Sequence, residues 1–270
     1  RRYGWQDGDE IISSPITFVS TNHAIMYERM KPCFADVDEY LCIDPADVEK
    51  KINDKTRAIM FVGYGGRVGQ LDKIIALCKK YGLRLILDAA HMSGTRVNGV
   101  FPGTWEGVDV AVYSFQAVKN LPTGDSGMIC FADEALDKEC RMVSWMGINK
   151  DTYARTTSEG TYKWNYGVDY LGYKYNGNAV MAAIALAQLP YLDEENARRR
   201  EIAAMYNKAF STNPKIHIIG APYADECSYH IYEIAVPDRE ALLGELAKND
   251  IYGGVHYRDN TEFSMYTYAQ

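Results

Sequence analysis

The sequence predicts an α/β protein, a mainly parallel sheet sandwiched by helices and followed by a smaller C-terminal α/β domain. Three observations predict it. Short, almost continuously apolar runs such as Ala58-Ile59-Met60-Phe61-Val62 and Leu85-Ile86-Leu87 read as strands buried on both faces. These runs alternate with amphipathic helical patterns, the order expected of strand–helix–strand units. After Trp164 two long helical patterns appear before the alternation resumes.

The elements follow in order. Glu10-Ile11-Ile12 and Thr17-Phe18-Val19 read as β runs, and Lys31 to Asp38 as a short strand ending in acidic turn residues. Asp44 to Ile52 reads as a helix, with Asp44 as its N-cap and Pro45, whose missing N–H costs nothing there, at the first position. Arg57 to Val62 is a buried strand, and Leu71 to Tyr81 a helix closed by Gly82. Arg84 to Asp88 and Val108 to Phe115 are further strands. Asn178 to Leu192 carries Ala182, Ala183, Leu186 and Leu189 at helical spacing, and Glu195 to Phe210 is a second helix. A strand at His230–Val236, a helix at Arg239–Asn249 and a strand around Gly254-Val255-His256 complete the pattern. The division falls between a large domain, 1–194, and a small one, 195–270.

Composition excludes several classes. The 270 residues are 47% hydrophobic and 24% charged, with a net charge of −7. That balance supports a sizeable core and no general polyanion-binding surface, so nucleic acid is not an expected partner. A few local Arg or Lys residues can still hold a small phosphate-bearing substrate. The six cysteines form no CxxC pair and read as reduced thiols of a cytoplasmic protein, with no metal site. The longest apolar stretch, Ala179 to Leu189, is about half of a membrane span and contains Gln188, so no membrane anchor is expected. The start, Arg1-Arg2-Tyr3-Gly4, lacks Met and reads as if the sequence begins partway through a domain; the small domain likewise reads as incomplete.

Chemistry concentrates at two strand ends, where open α/β sheets bind ligands. Leu85-Ile86-Leu87 runs into Asp88-Ala89-Ala90-His91, and Val110 to Tyr113 runs into Ser114-Phe115-Gln116-Ala117-Val118-Lys119-Asn120. An aldehyde cofactor such as pyridoxal phosphate (PLP) needs a nucleophilic primary amine, and its pyridine nitrogen needs a fixed carboxylate. Its phosphate needs hydroxyl and N–H donors, and its ring an aromatic neighbour. Lys119, Asp88, Ser114 and Phe18 can fill these roles, with His91 near the ring hydroxyl. Singly, each has a plainer reading: Asp88 as a helix cap, Lys119 as a solvated charge, Ser114 as a turn residue, Phe18 as core. On chemistry alone both readings stand.

The chain also resembles the DegT/DnrJ/EryC1/StrS sugar aminotransferases, PLP enzymes with the aspartate-aminotransferase-like fold. The resemblance rests on Gly8 to Ile12 with Thr17-Phe18-Val19-Ser20-Thr21; Phe34 to Asp38 with Ile43-Asp44-Pro45; Leu87 to His91; and Ser114 to Asn120. It continues through Gly172-Tyr173-Lys174-Tyr175-Asn176, Ala182-Ala183, Gln188-Leu189 and Gly254-Val255-His256-Tyr257, in family order across almost the whole chain. It implies that Lys119 is the Schiff-base lysine, Asp88 the partner of the pyridine nitrogen, Ser114 a phosphate ligand and Phe18 the stacked aromatic. His91 stands where a Gln near the cofactor's hydroxyl is usual. Lys174 and Asn176 match a segment that reaches the neighbouring subunit's active site, which implies a homodimer.

The implied activity is transamination, with glutamate loading the cofactor, a nucleotide-linked keto sugar accepting the amine, and Lys119 moving the proton. Amino sugars of polysaccharides or antibiotics are the expected products. Lys163, His256, Tyr257, Arg258 and Arg155 are candidate substrate contacts. Two other readings are a keto-sugar dehydratase, against which Lys119 argues because that branch has His there, and a silent regulatory relative, disfavoured by the intact Asp88, Ser114 and Lys119. Two departures stand out. Gly63 replaces a His found in many relatives, and the Gly-Thr turn that binds the phosphate would lie upstream of Arg1. The Gly63–Gly69 loop is the alternative source of phosphate donors.

Overall fold

The computed structural model describes residues 3–149 and 166–269. At its centre lies a six-stranded sheet of β1 (Glu10–Ser13), β2 (Lys31–Phe34), β3 (Thr56–Val62), β4 (Arg84–Asp88), β5 (Val110–Ser114) and β6 (Gly127–Phe131), in the order β2-β1-β3-β4-β5-β6. The first five strands are parallel, as the apolar runs predict, and β6 closes the edge antiparallel to β5. The chain leaves β1 toward β2 and returns to β3 on the other side. Such a reversal opens a crevice at the carboxyl ends of the strands.

One face of the sheet carries the main core. Ile12, Ile59, Phe61, Leu85 and Leu87 are fully buried there against Leu71, Ile74 and Cys78, each large side chain contributing about 1.5–3 kcal/mol. On the other face α1 (Ser20–Tyr27) sets Ile25 against Ile11, Ala58 and Met60. With eight residues, α1 is only about 12 Å long and packs over the β2, β1 and β3 side of the sheet. Val112 and Ile129 on that face of β5 and β6 stay exposed. Val112 there lines the crevice at the strand ends.

Local signals explain the helix ends. Asp44 caps α2 (Pro45–Lys51) by accepting from the Ala46 N–H at 2.9 Å. Gly82, at φ +66°, closes α3 (Leu71–Tyr81) in the left-handed conformation. Following β6 come α4 (Glu134–Ser144), α5 (Ala179–Gln188) and α6 (Leu192–Phe210), the last two joined by a single 3₁₀ turn around Pro190. The expected division at 194/195 therefore falls in the first turn of α6. A two-stranded pair, β7 (His217–Ile218) and β8 (Ile234–Ala235), and α7 (Arg239–Ala247) follow.

Three sequence expectations change. Thr17-Phe18-Val19 is no strand but the lead-in to α1, with Val19 already in helical geometry. The Thr17 and Thr21 hydroxyls meet at 2.9 Å, the four-residue spacing of one helical turn. The strand expected at His230–Val236 shortens to β8, because His230 and its neighbours turn inward to side-chain partners. The segment around Gly254-Val255-His256 has no regular structure.

Candidate active site

Alternate residues of three adjacent strands, Met60 and Val62, Ile86 and Asp88, Val112 and Ser114, point into one cavity of about 640 Å³. The register sets Val62 beside Asp88 and Asp88 beside Val112. Thr17, Phe18 and Thr21 wall it on one side, and Gln116, Lys119, His256 and Tyr257 line the rest. Its size suits a cofactor or small substrate.

Asp88 lies at the end of β4 with both carboxylate oxygens engaged. Oδ2 accepts from the Thr21 hydroxyl at 2.7 Å and Oδ1 from the Ala90 N–H at 3.1 Å. Because Thr21 spends its proton on Asp88, Thr17 is the donor in the Thr17–Thr21 pair. Burial raises the Asp88 pKa above the usual carboxylate value, opposed by the Thr21 and Ala90 donors and by Lys119. For Lys119 the balance is mirrored: burial lowers its pKa and Asp88 pulls it back up. The two groups face the same cavity from adjacent strand ends.

A buried polar network holds the loop that carries Lys119. The Lys119 N–H donates to the Gln116 carbonyl at 2.9 Å. Next to it, the buried Asn120 amide donates to Asn196 Oδ1 at 2.7 Å and to the Ser228 carbonyl at 2.9 Å. The Asn120 oxygen is left to accept from His230 Nδ1 at 2.9 Å. Burial, then Lys119, push the His230 pKa down to about 3. Its ring packs on His91 at a tilt of 36°, with centroids 4.3 Å apart.

His91 lines the cavity but is only 6% exposed. Both its nitrogens are engaged, Nδ1 by the Gly65 N–H at 3.2 Å and Nε2 by the Tyr257 hydroxyl at 3.1 Å. Phe18 is 58% exposed although it belongs to the cavity wall; its ring sits 6.0 Å from that of Tyr257. The Ser114 hydroxyl accepts from the Gln116 N–H at 3.4 Å, which leaves its proton free for a ligand.

The structure thus gathers Phe18, Asp88, His91, Ser114, Lys119, His256 and Tyr257 in one cavity. Lys174 and Asn176 lie outside it on an exposed stretch, hydrogen-bonded to each other at 2.9 Å, with the Lys174 ammonium over the Trp145 ring. Arg258 pairs with Glu262 at 2.8 Å in a separate groove. Lys163 and Arg155 lie outside the described residues. The Gly63–Gly69 loop is packed away from the cavity, and a side chain at Gly63 would collide with Met92. Thr21, Gln116, Asn120 and His230 are the polar residues whose roles sequence reasoning does not assign. Thr21 and Asn120 stand inside the motifs that carry the resemblance, whereas His230 has no local signal. Among the described residues no cluster of His, Cys, Asp or Glu is arranged to hold a metal ion, and no helix is long and apolar enough to cross a membrane.

Comparisons with known proteins bear on this site. The profile of the DegT/DnrJ/EryC1/StrS aminotransferase family matches residues 1–270. The chain is 37% identical over 235 residues to the spore coat polysaccharide biosynthesis protein SpsC of Bacillus subtilis, covering 87% of this chain and 59% of SpsC. It superposes on the aminotransferase TlmJ of Streptoalloteichus hindustanus with a TM-score of 0.87 at 32% identity, over 97% of this chain and 69% of TlmJ. The PMP form of the putative sugar aminotransferase Spr1654 of Streptococcus pneumoniae superposes with a TM-score of 0.86 at 26% identity, over 99% of this chain and 73% of that one. The chain spans between 59% and 66% of the length of the curated relatives it matches. It belongs to the DegT/DnrJ/EryC1/StrS aminotransferase family.

Proposed function

We propose that this chain carries the catalytic centre of a PLP-dependent aminotransferase that moves an amino group from glutamate to a nucleotide-linked keto sugar. The observation that carries the reading is the pairing of Lys119 with Asp88 in one cavity walled by an exposed phenyl ring. Family membership supports transamination, and the polysaccharide role in SpsC's name and the sugar substrate in Spr1654's support a sugar acceptor.

The donor set fits pyridoxal phosphate. Asp88, fixed by Thr21 and Ala90, presents a carboxylate to a ring nitrogen; Phe18 offers a stacking face; Ser114 offers a hydroxyl to the phosphate. When bound, the cofactor supplies an aldehyde and an electron-withdrawing pyridinium ring. Lys119 Nζ, lowered by burial, can both attach the cofactor and carry a proton to and from the substrate carbon. His256 and Tyr257 line the cavity and would contact the sugar. Arg258, and Lys163 with it, would contact the substrate's charged end.

Residues 1–194 would form the cofactor-binding domain and 195–270 a smaller one. We further propose a homodimer in which Lys174 and Asn176 serve the neighbour's site. Their position outside the cavity supports this, as does α5, whose Val180 and Leu186 are 66% and 70% exposed. The six free thiols suit the cytoplasm.

The test is spectroscopic. Protein loaded with PLP should show a visible band that glutamate bleaches. Lys119→Ala should lack that band with its circular dichroism unchanged. Normal turnover by Lys119→Ala would overturn the reading.

A further inference from the structure

We propose that Tyr257 is the hydrogen-bond donor that the cleft presents to an acceptor oxygen of its ligand, with His91 as the positioning residue that sets the direction of donation. The inference rests on the functional reading above only for the identity of that ligand.

The direction originates in the turn after β3. Gly65 has φ +64° and Gly66 φ +98°, which glycine adopts without strain. A Cβ on Gly65 would run into the Arg67 guanidinium and the Glu233 carboxylate. The turn is therefore closed to other residues, and it aims the Gly65 N–H at His91 Nδ1, 3.2 Å away. A ring nitrogen that accepts from an N–H carries no proton. The neutral imidazole then has its one proton on Nε2. Nε2 lies 3.1 Å from Tyr257 Oη and donates to it. With that bond accepted, the tyrosine's own proton is free to turn into the cavity that Tyr257 lines.

Neighbouring groups hold this polarity. Protonating Nδ1 would set two N–H groups against each other. Burial, then the neighbouring Lys119, His230 and His256, disfavour a positive charge on His91 and push its pKa down to about 2. Burial and the Asp88 carboxylate raise the Tyr257 pKa to about 12, so the hydroxyl keeps its proton. Tyr64, the remaining ring packed on both, contributes an edge contact to each. His230 cannot substitute as a donor to the cleft through Nδ1, because Asn120 Oδ1 takes that proton. Both nitrogens of His91 are occupied, so the ligand meets the phenol and not the imidazole. The acceptor oxygen belongs either to the cofactor's ring or to the keto group of the sugar, and two arms of one experiment separate these.

The direction is tested first, without cofactor, by ring-nitrogen NMR on histidine-labelled protein between pH 5 and 8. The expected result is an Nε2–H tautomer for His91, assigned by its absence in His91→Gln, with no titration. An Nδ1–H tautomer, or protonation in that range, would overturn the relay. The donor is tested with Tyr257→Phe, by PLP affinity in the cofactor arm and by KM for the keto sugar in the substrate arm. About a tenfold loss is expected in one arm. His91→Leu should lose as much and add nothing in the Tyr257→Phe background. His91→Gln, whose amide can accept from Gly65 and donate to Tyr257, should restore most of it. A change under twofold in both arms for Tyr257→Phe would overturn the proposal. If the wild-type protein forms no visible band with PLP, the aminotransferase reading fails, and the tautomer measurement still decides the relay.

Discussion

Replacing Asp88 by asparagine separates charge from shape at the centre of the site. Each carboxylate oxygen accepts one bond, Oδ2 from Thr21 at 2.7 Å and Oδ1 from the Ala90 N–H at 3.1 Å. An amide satisfies both in one orientation only, its oxygen on Ala90 and its NH₂ toward Thr21. Thr21 then accepts and turns its own proton toward Thr17, reversing the pair that meets at 2.9 Å. The fold therefore tolerates the change, with a stability cost of about 1 kcal/mol. The lost charge is another matter. A carboxylate facing a protonated ring at roughly 4 Å, in an effective dielectric of about 20, contributes about 4 kcal/mol. At 1.36 kcal/mol per decade, that is a rate loss of about 10³. The assay is stopped-flow decay of the visible band on mixing PLP-loaded protein with glutamate, with circular dichroism as the control on folding. A loss under tenfold in a variant that still binds PLP would show that Asp88 is a turn-capping residue and that the electrostatic argument is wrong.

Acid should destabilise the protein through its buried histidines. His91 and His230 are held neutral, near 2 and 3, against about 6.5 unfolded. Below pH 6.5 the unfolded chain takes up protons that the fold refuses, so from pH 7 to 5 the urea midpoint should fall by the equivalent of about 2 kcal/mol per histidine. Asp88, raised by burial, acts in the opposite sense at the acid end; a flat profile from pH 7 to 5, or an equal fall in His91→Gln, would contradict this account. Arg67→Met should cost about 3–5 kcal/mol in denaturant titration, because it leaves the Glu233 carboxylate without its partner at 2.6 Å; adding Glu233→Gln should recover part of the loss. Asn260→Ala removes a donor to the Thr17 carbonyl at 2.9 Å and an acceptor for Asn22 at 3.0 Å. It should cost about 1–3 kcal/mol and weaken PLP binding, since Thr17 adjoins Phe18; unchanged PLP affinity would detach the joint from the site.

Much of the sheet is legible in the sequence because burial on both sides writes itself as uninterrupted apolar runs. β3, β4 and α3 with its Gly82 cap are read almost to the residue. The helix α1 is not, for a physical reason: Ser-Thr-Asn-His-Ala-Ile-Met-Tyr has modest helix propensity and no side-chain N-cap bond. It buries Thr21 and Asn22 on polar partners instead of an apolar stripe. The edge strand β6 and helix α4 are likewise unassigned, although Met128-Ile129-Cys130-Phe131 is an apolar run and Asp133 caps the helix that follows. For the site, Lys119, Asp88 and Ser114 stand at strand ends, where topology alone nominates them. His230 and Asn120 act through contacts between residues 110 apart in the chain, and no local spacing encodes such a contact.

The cleft is assembled from two distant parts of the chain, and the joints between them are polar. Arg67 meets Glu233, Asn120 meets Asn196, Ser228 and His230, and Asn260 meets Thr17 and Asn22. A buried hydrogen bond contributes only about 1 kcal/mol net, yet leaving its donor or acceptor unmade costs about 1–3 kcal/mol. An apolar joint would tolerate sliding by a fraction of an ångström; these joints do not, because a small slide strands several buried groups at once. Two of these joints also end beside residues of the cleft: Asn120 adjoins Lys119, with its partner His230 packed on His91, and Thr17 adjoins Phe18. The polar contacts that dock the C-terminal segment are thus the same ones that align amine, carboxylate, phenyl ring and tyrosine. Among the described residues, α5 makes no buried polar joint of this kind, and its Val180 and Leu186 stay exposed.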